Sequence, residues 1–125
     1  MPEPTSIMVI EDEKELAALF KAFLENMGHD TVIFTDPQWR SNFLSKGQEF
    51  SLILTDLRMP QMSGIELAAE IRKFNDKIKI ILITAFMVEH LMISETYKLV
   101  EINEIVQKPI KIAALREIID SVLQQ

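Results

Sequence analysis

Cysteine is absent from all 125 residues, which excludes a disulfide framework and any thiolate metal site. No uncharged apolar run approaches the roughly 18 residues that a membrane-spanning helix needs. Met1 to Ser6 contains no basic stretch leading into a long apolar one, so no secretory signal is expected. Positive charge is in deficit: 13 Lys and Arg stand against 19 Asp and Glu, for a net charge of −6 and a pI near 4.9. A surface of that sign disfavours nucleic acid and anionic membrane as partners. There is no low-complexity segment, no repeat of solenoid period and no linker-like stretch. The expectation is a soluble, cytoplasmic protein forming one domain over residues 1–125, close to the commonest domain size.

Apolar residues make up 48% of the chain, enough for a real core. They fall into two alternating patterns. Short runs at Ile7–Ile10, Thr31–Phe34, Phe50–Thr55, Ile78–Ile83 and Ile102–Val106 read as strands. Between them lie helical spacings of three and four. Leu16, Leu19, Phe20, Phe23, Leu24 and Met27 form the first, closed by Gly28. Asp36 and Pro37 read as cap and first position of a helix that carries Trp39 and Phe43 on one face. Ile65, Ala68, Ile71 and Phe74 mark another, Met87 to Val100 a fourth, and Ile112, Leu115, Ile118, Ile119 and Val122 the last. Five rounds of strand then helix predict an α/β fold, a parallel sheet covered on both faces. Near-continuous Ile, Leu and Val runs suit strands buried on both sides.

Four of the strands run into reactive polar residues: Glu11 and Asp12, Asp56, Thr84 and Lys108. In a parallel sheet these gather at the carboxyl edge, where open α/β sheets keep their ligand sites. Clustered carboxylates repel each other, and a hard divalent cation such as Mg²⁺ relieves the repulsion. Asp12 or Glu13 could equally do no more than cap the following helix. Asp56 follows a fully apolar strand and precedes a loop with Pro60 and Gly64, so capping does not account for it. Thr84 and Lys108 are ordinary residues singly; Pro109 after Lys108 demands a defined backbone, with a cis bond among the options. Together the set suits a phosphoryl group. A carboxylate can attack phosphorus and form an acyl phosphate, a lysine is a mobile positive charge, and a hydroxyl donates to phosphoryl oxygen. His29 and His90 fall at no predicted strand end and read as surface histidines.

The chain resembles the receiver domains of two-component response regulators, in particular stand-alone members such as the chemotaxis regulators. The resemblance rests on Glu11-Asp12, on Asp56-Leu57-Arg58-Met59-Pro60 with Gly64-Ile65-Glu66, on Thr84-Ala85 and on Lys108-Pro109-Ile110. It implies a flavodoxin-like (βα)5 doubly wound sheet of order 2-1-3-4-5, with no output domain. It implies that Asp56 accepts a phosphoryl group from a phosphohistidine on a sensor histidine kinase or histidine phosphotransfer protein. Asp12, Asp56 and the Arg58 backbone carbonyl would hold Mg²⁺, or Mn²⁺ in its place, with Glu11 acting through water. Lys108 and Thr84 would bind the phosphoryl oxygens. The domain would be a switch acting on a downstream protein, a monomer or weak dimer, catalysing only its own phosphorylation and autodephosphorylation. The surface that changes would be residues 87–106 and the helix after Pro109.

Two departures fall on that surface. Ile105 stands where the family usually has an aromatic residue, so aliphatic repacking replaces an aromatic swing, unless Tyr97 substitutes. The stretch Lys98-Leu99-Val100-Glu101-Ile102-Asn103 lacks the usual small-residue and glycine turn. Arg58 and Phe86, two positions beyond Asp56 and Thr84, are expected at the pocket mouth. Two other function classes fit these residues less well, and the intact acid, threonine and lysine set speaks against a receiver that signals without phosphorylation. An aspartyl-nucleophile phosphatase of the haloacid-dehalogenase type needs a second acid two residues after the first, where this chain has Arg58. A nucleotide or flavin binder needs a glycine-rich phosphate loop, where this chain has Glu11-Asp12-Glu13. A relay intermediate passing phosphate on to a histidine would use the same residues.

Overall fold

The computed structural model describes residues 5–36, 39, 43, 50–59, 62–85 and 100–125. Five strands, β1 (Ser6–Ile10), β2 (Asp30–Phe34), β3 (Phe50–Asp56), β4 (Lys79–Thr84) and β5 (Glu104–Gln107), form one sheet. Every pairing is parallel and the order is β2-β1-β3-β4-β5, the flavodoxin-like arrangement expected. Three helices lie among the described residues: α1 (Lys14–Asn26), α2 (Gly64–Phe74) and α3 (Ile112–Leu123). None is long and apolar enough to cross a membrane.

Strand periodicity divides the core in two. Ile7, Val9, Leu52, Leu54, Ile81 and Ile83 face one side, covered by Phe20 and Leu24 of α1 and by Leu115, Ile119 and Val122 of α3. Met8, Ile10, Ile53 and Ile80 face the other, covered by Leu67, Ala68 and Ile71 of α2 together with Trp39, Phe43 and Val100. Each fully buried Leu or Ile contributes about 1.5–3 kcal/mol of transfer free energy, so the doubly wound packing follows from strands that are apolar on both faces.

The expected helices after Pro37 and over Met87 to Val100, Tyr97 included, lie largely outside the described residues; Trp39, Phe43 and Val100 are helical and buried. Other elements match their patterns to within a residue or two. Gly28 closes α1 at φ 97, a left-handed conformation that glycine adopts without steric cost.

β5 begins at Glu104 rather than Ile102, and Asn103 is the reason. Its side-chain Oδ1 accepts the Ile80 N–H at 2.8 Å while its own N–H donates to the Ile80 carbonyl at 2.9 Å. The side chain thus does what the ladder would do, and regular pairing starts one residue later. Just before it, Glu101 sits at φ 53, taking without glycine the left-handed turn that glycine usually supplies, at roughly 1–2 kcal/mol. Arg72 of α2 offsets this cost. Its guanidinium donates to the carbonyls of Val100 (2.8 Å), Glu101 (2.9 Å) and Ile78, and reaches Asn103 Oδ1 at 3.4 Å. One planar cation therefore ties the end of α2, the approach to β4 and the approach to β5 into a single corner; burial lowers its pKa, against Glu101 and Asp76, which favour the charged form. Arg72→Ala is expected to cost roughly 2–4 kcal/mol, because it orphans several carbonyls at once. Arg72→Lys recovers only a small part, since a point donor cannot span the corner; urea unfolding of the three proteins measures both effects.

Candidate functional site

Parallel register brings the strand ends level. Ile10 pairs with Thr55, Asp56 with Ile83, and Thr84 with Gln107. Three backbone bonds then fix the residues just past those ends. The Glu11 N–H donates to the Phe34 carbonyl (3.0 Å), the Leu57 N–H to the Ile83 carbonyl (2.8 Å) and the Lys108 N–H to the Thr84 carbonyl (2.7 Å). Glu11 and Lys108 are thus placed by a ladder continued one step beyond the regular strand, and Asp56 and Thr84 are the last residues of β3 and β4.

Glu11, Asp12 and Asp56 present carboxylate oxygens that all lie within 4.8 Å of one another. Glu11 is buried, Asp56 half-buried and Asp12 exposed. The Lys108 Nζ stands 3.5 Å from Asp56 Oδ2 and 3.9 Å from Glu11 Oε1. Thr84 closes β4, is buried, and follows Ile83, the strand partner of Asp56. The Lys108–Pro109 bond is cis. Pro109 is exposed and Ile105 half-buried. Arg58 is exposed and lines, with Asp12, Met59 and Ser63, an open cleft of about 380 Å³ beside the acidic cluster. Phe86 and His90 lie outside the described residues. His29 is remote: it precedes β2 at the opposite edge of the sheet, where its Nδ1 pairs with the Thr5 hydroxyl.

The helix-capping alternative for the first acids finds little in the geometry. Glu13 is the N-cap of α1 but makes no side-chain cap bond. Its N–H instead donates to Glu11 Oε2 at 3.1 Å, so the acid two residues earlier is turned inward. The other oxygen, Oε1, is buried without a hydrogen-bond partner. A buried carboxylate oxygen without a hydrogen bond, beside two further carboxylates, fits a hard divalent cation, with water completing the shell.

Electrostatics agree with the crowding. Burial first, then the neighbouring Asp12 and Asp56 carboxylates, pushes the Glu11 carboxyl from the ordinary 4.5 up to about 7, against the Glu13 N–H and Lys108, which favour its ionised form. Ser63, Met59 and Gly64 were not marked as site residues by the sequence, yet the first two line the cleft. The signal for Ser63 was the Ser63-x-x-Glu66 spacing: the Ser63 hydroxyl oxygen accepts the Glu66 N–H at 3.1 Å and starts α2 beside the site.

Comparison with known proteins places these features in company. The family model of the response regulator receiver domain matches residues 7–120. Transcriptional regulatory protein RprY of Bacteroides fragilis is 27% identical, over all of this chain and 52% of its own length. Response regulator receiver protein CpdR of Brucella abortus is 34% identical over 64% of this chain and 66% of its own. A chemotaxis protein CheY homolog of Campylobacter jejuni is 30% identical over 62% of each. The chain spans about half the length of RprY. Among solved structures, a response regulator receiver domain protein from Clostridium thermocellum superposes with a TM-score of 0.86 at 21% identity, covering 96% of this chain and 94% of that one, a likeness of fold.

The raised Glu11 carboxyl has a measurable consequence. Its folded-state value lies above its unfolded one, so the folded protein holds the extra proton, and this contribution to stability is full below pH 4.5 and lost as pH rises to about 7. In chelator-treated protein, Glu11→Gln should therefore gain stability relative to wild type on going from pH 5 to pH 7.5, read as the difference between their melting temperatures. Divalent cation should raise the wild-type melting temperature more at pH 7.5 than at pH 5.

Proposed function

The chain belongs to the response regulator receiver domain family, and on that footing we propose that it accepts a phosphoryl group on Asp56 and passes the change to a protein-binding face. Receiver domains of two-component systems are phosphorylation-activated signalling switches rather than turnover enzymes. The observation that carries the reading for this chain is the meeting of three carboxylates within 4.8 Å with a lysine 3.5 Å from one of them.

Asp12, Asp56 and the Arg58 backbone carbonyl would hold Mg²⁺ or Mn²⁺, with Glu11 acting through water. Once bound, the cation supplies positive charge against the phosphoryl oxygens. The chain's own residues do the rest. An Asp56 carboxylate oxygen attacks phosphorus. The bond from phosphorus to the donor imidazole nitrogen breaks, and that nitrogen leaves with the electron pair. The product is an acyl phosphate on Asp56. Lys108, already facing Asp56 Oδ2, turns its positive charge to the incoming oxygens, and Thr84 donates its hydroxyl to one of them. Glu11 keeps Lys108 within reach from the other side. A sensor histidine kinase or a histidine phosphotransfer protein is the donor class.

Phosphorylation adds roughly −2 charge and three acceptor oxygens beside Thr84 and Lys108. Drawing Thr84 toward them biases a packed surface between two arrangements. The stretch proposed for that surface is residues 87–106, of which 87–99 lie outside the described residues, together with the segment from Pro109 into α3, where Pro109 and Ile112 are exposed. At Ile105 an aliphatic side chain repacks in place of an aromatic swing.

A small phosphodonor with Mg²⁺ is expected to label the protein once, at Asp56, and to leave Asp56→Asn unlabelled; mass spectrometry of the two proteins decides it, and label in Asp56→Asn refutes the assignment. Lys108→Ala should still bind Mg²⁺ but lose at least tenfold in labelling rate. Arg58 at the cleft mouth is expected to limit water access to the acyl phosphate, so Arg58→Ala shortens its half-life severalfold; an unchanged decay rate removes Arg58 from that role.

A further inference from the structure

α2 begins at Gly64, and the space around that residue is closed. A β-carbon placed there would lie 2.6 Å from the Asp56 carbonyl oxygen, 3.1 Å from Leu57 Cα and 3.0 Å from Leu82 Cδ2. The first two are backbone atoms and cannot turn aside as a side chain can. The contrast with Gly28 is informative: Gly28 takes a left-handed φ and has nothing within 4 Å, whereas Gly64 takes no left-handed φ and is packed. Gly64 is therefore required for space, and the space it leaves is filled by the backbone of Asp56.

Both bodies at this contact are anchored. β3 is bound on both sides, to β1 and β4, and the Leu57 N–H extends the second ladder to the Ile83 carbonyl. α2 is held by Leu67, Ala68 and Ile71, all fully buried against the sheet. Between them the Gly64 N–H closes the loop onto the Leu57 carbonyl at 2.7 Å. With strand and helix both fixed, any displacement forced at position 64 falls on residues 56–58. These are the acid itself, the residue that closes the loop, and Arg58.

We propose that Gly64 is a positioning residue for the phosphoryl-accepting centre: by letting α2 touch the Asp56 backbone, it aims the Asp56 carboxylate at Glu11, Asp12 and Lys108 and fixes the direction of the Arg58 carbonyl. This rests on the function proposed above. Gly64 itself touches neither cation nor phosphoryl group. Its substitution acts by rotating the Asp56 carboxylate away from a cluster whose oxygens now lie within 4.8 Å.

The experiment compares wild type, Gly64→Ala and Leu67→Ala, the last a buried truncation in the same helix that leaves the Asp56 contact intact. Melting temperature, Mg²⁺ affinity by calorimetry and labelling rate with a small phosphodonor are measured on each. Gly64→Ala should lose at least tenfold in Mg²⁺ affinity and in labelling rate. Leu67→Ala should melt at least as low yet stay within about twofold of wild type in Mg²⁺ affinity. If Gly64→Ala does not fold in buffer alone, the calorimetry is run on all three proteins in a stabilising osmolyte. Folded Gly64→Ala with wild-type Mg²⁺ affinity, or equal losses in both variants, overturns the positioning role. A wild-type protein that binds no Mg²⁺ and takes no label at Asp56 defeats the underlying function instead, and this inference with it.

Discussion

Repulsion among like charges is the constraint around which the active end of this sheet is built. Glu11, Asp12 and Asp56 bring carboxylate oxygens within 4.8 Å of one another, and Glu11 is buried while doing so. Ionised carboxylates at that separation cannot all keep their charge without compensation. The protein supplies part of it: Lys108 stands against two of the three acids, and the Glu13 N–H donates to Oε2 of Glu11. What remains is a raised Glu11 carboxyl and one buried oxygen without a hydrogen bond. Such crowding is of the kind that a hard divalent cation relieves.

Such crowding persists only because the backbone does not yield. The sheet supplies the stiffness, with strands apolar on both faces and held between two helical layers. Single backbone bonds beyond the ends of the ladders then carry that stiffness out to Glu11, Leu57 and Lys108. The same logic extends to Gly64, whose missing side chain lets a helix brace the acid from behind. Placement by main chain leaves the polar side chains themselves free to change partners, which a switch requires.

The far corner of the molecule is organised by a different means. There Arg72 gathers carbonyls from the approaches to β4 and β5, and Asn103 replaces a ladder bond with its side chain. The corner anchors the chain at Val100 and Glu101, just before it re-enters the sheet at Glu104. Glu101 holds its left-handed backbone at this anchor without glycine, its carbonyl captured by the guanidinium.

Much of this was legible from sequence because it depends on local pattern. Short apolar runs and the 3.6-residue period between them showed the order of strands and helices, and doubly apolar strands implied cover on both faces. Polar residues at the ends of apolar runs, Asp56 and Thr84 above all, were visible as such because a parallel sheet aligns its carboxyl ends. What tertiary structure alone decided are the contacts between segments distant in the chain. Nothing in Arg72 as a letter shows that its guanidinium would reach Val100 and Glu101, and nothing in Asn103 shows that it would delay β5. Gly64 was visible as a loop glycine, but the reason for it, an α2 backbone pressed against Asp56, exists only once strand and helix are packed. Likewise the inward turn of Glu11, against the simpler reading of a helix cap, was set by burial at the end of β1 and by the Glu13 N–H. Sequence fixes which groups are available and which edge they occupy, since those follow from periodicity; distance, burial and shared partners are properties of the packed whole, and they turn a row of acids into a charged site.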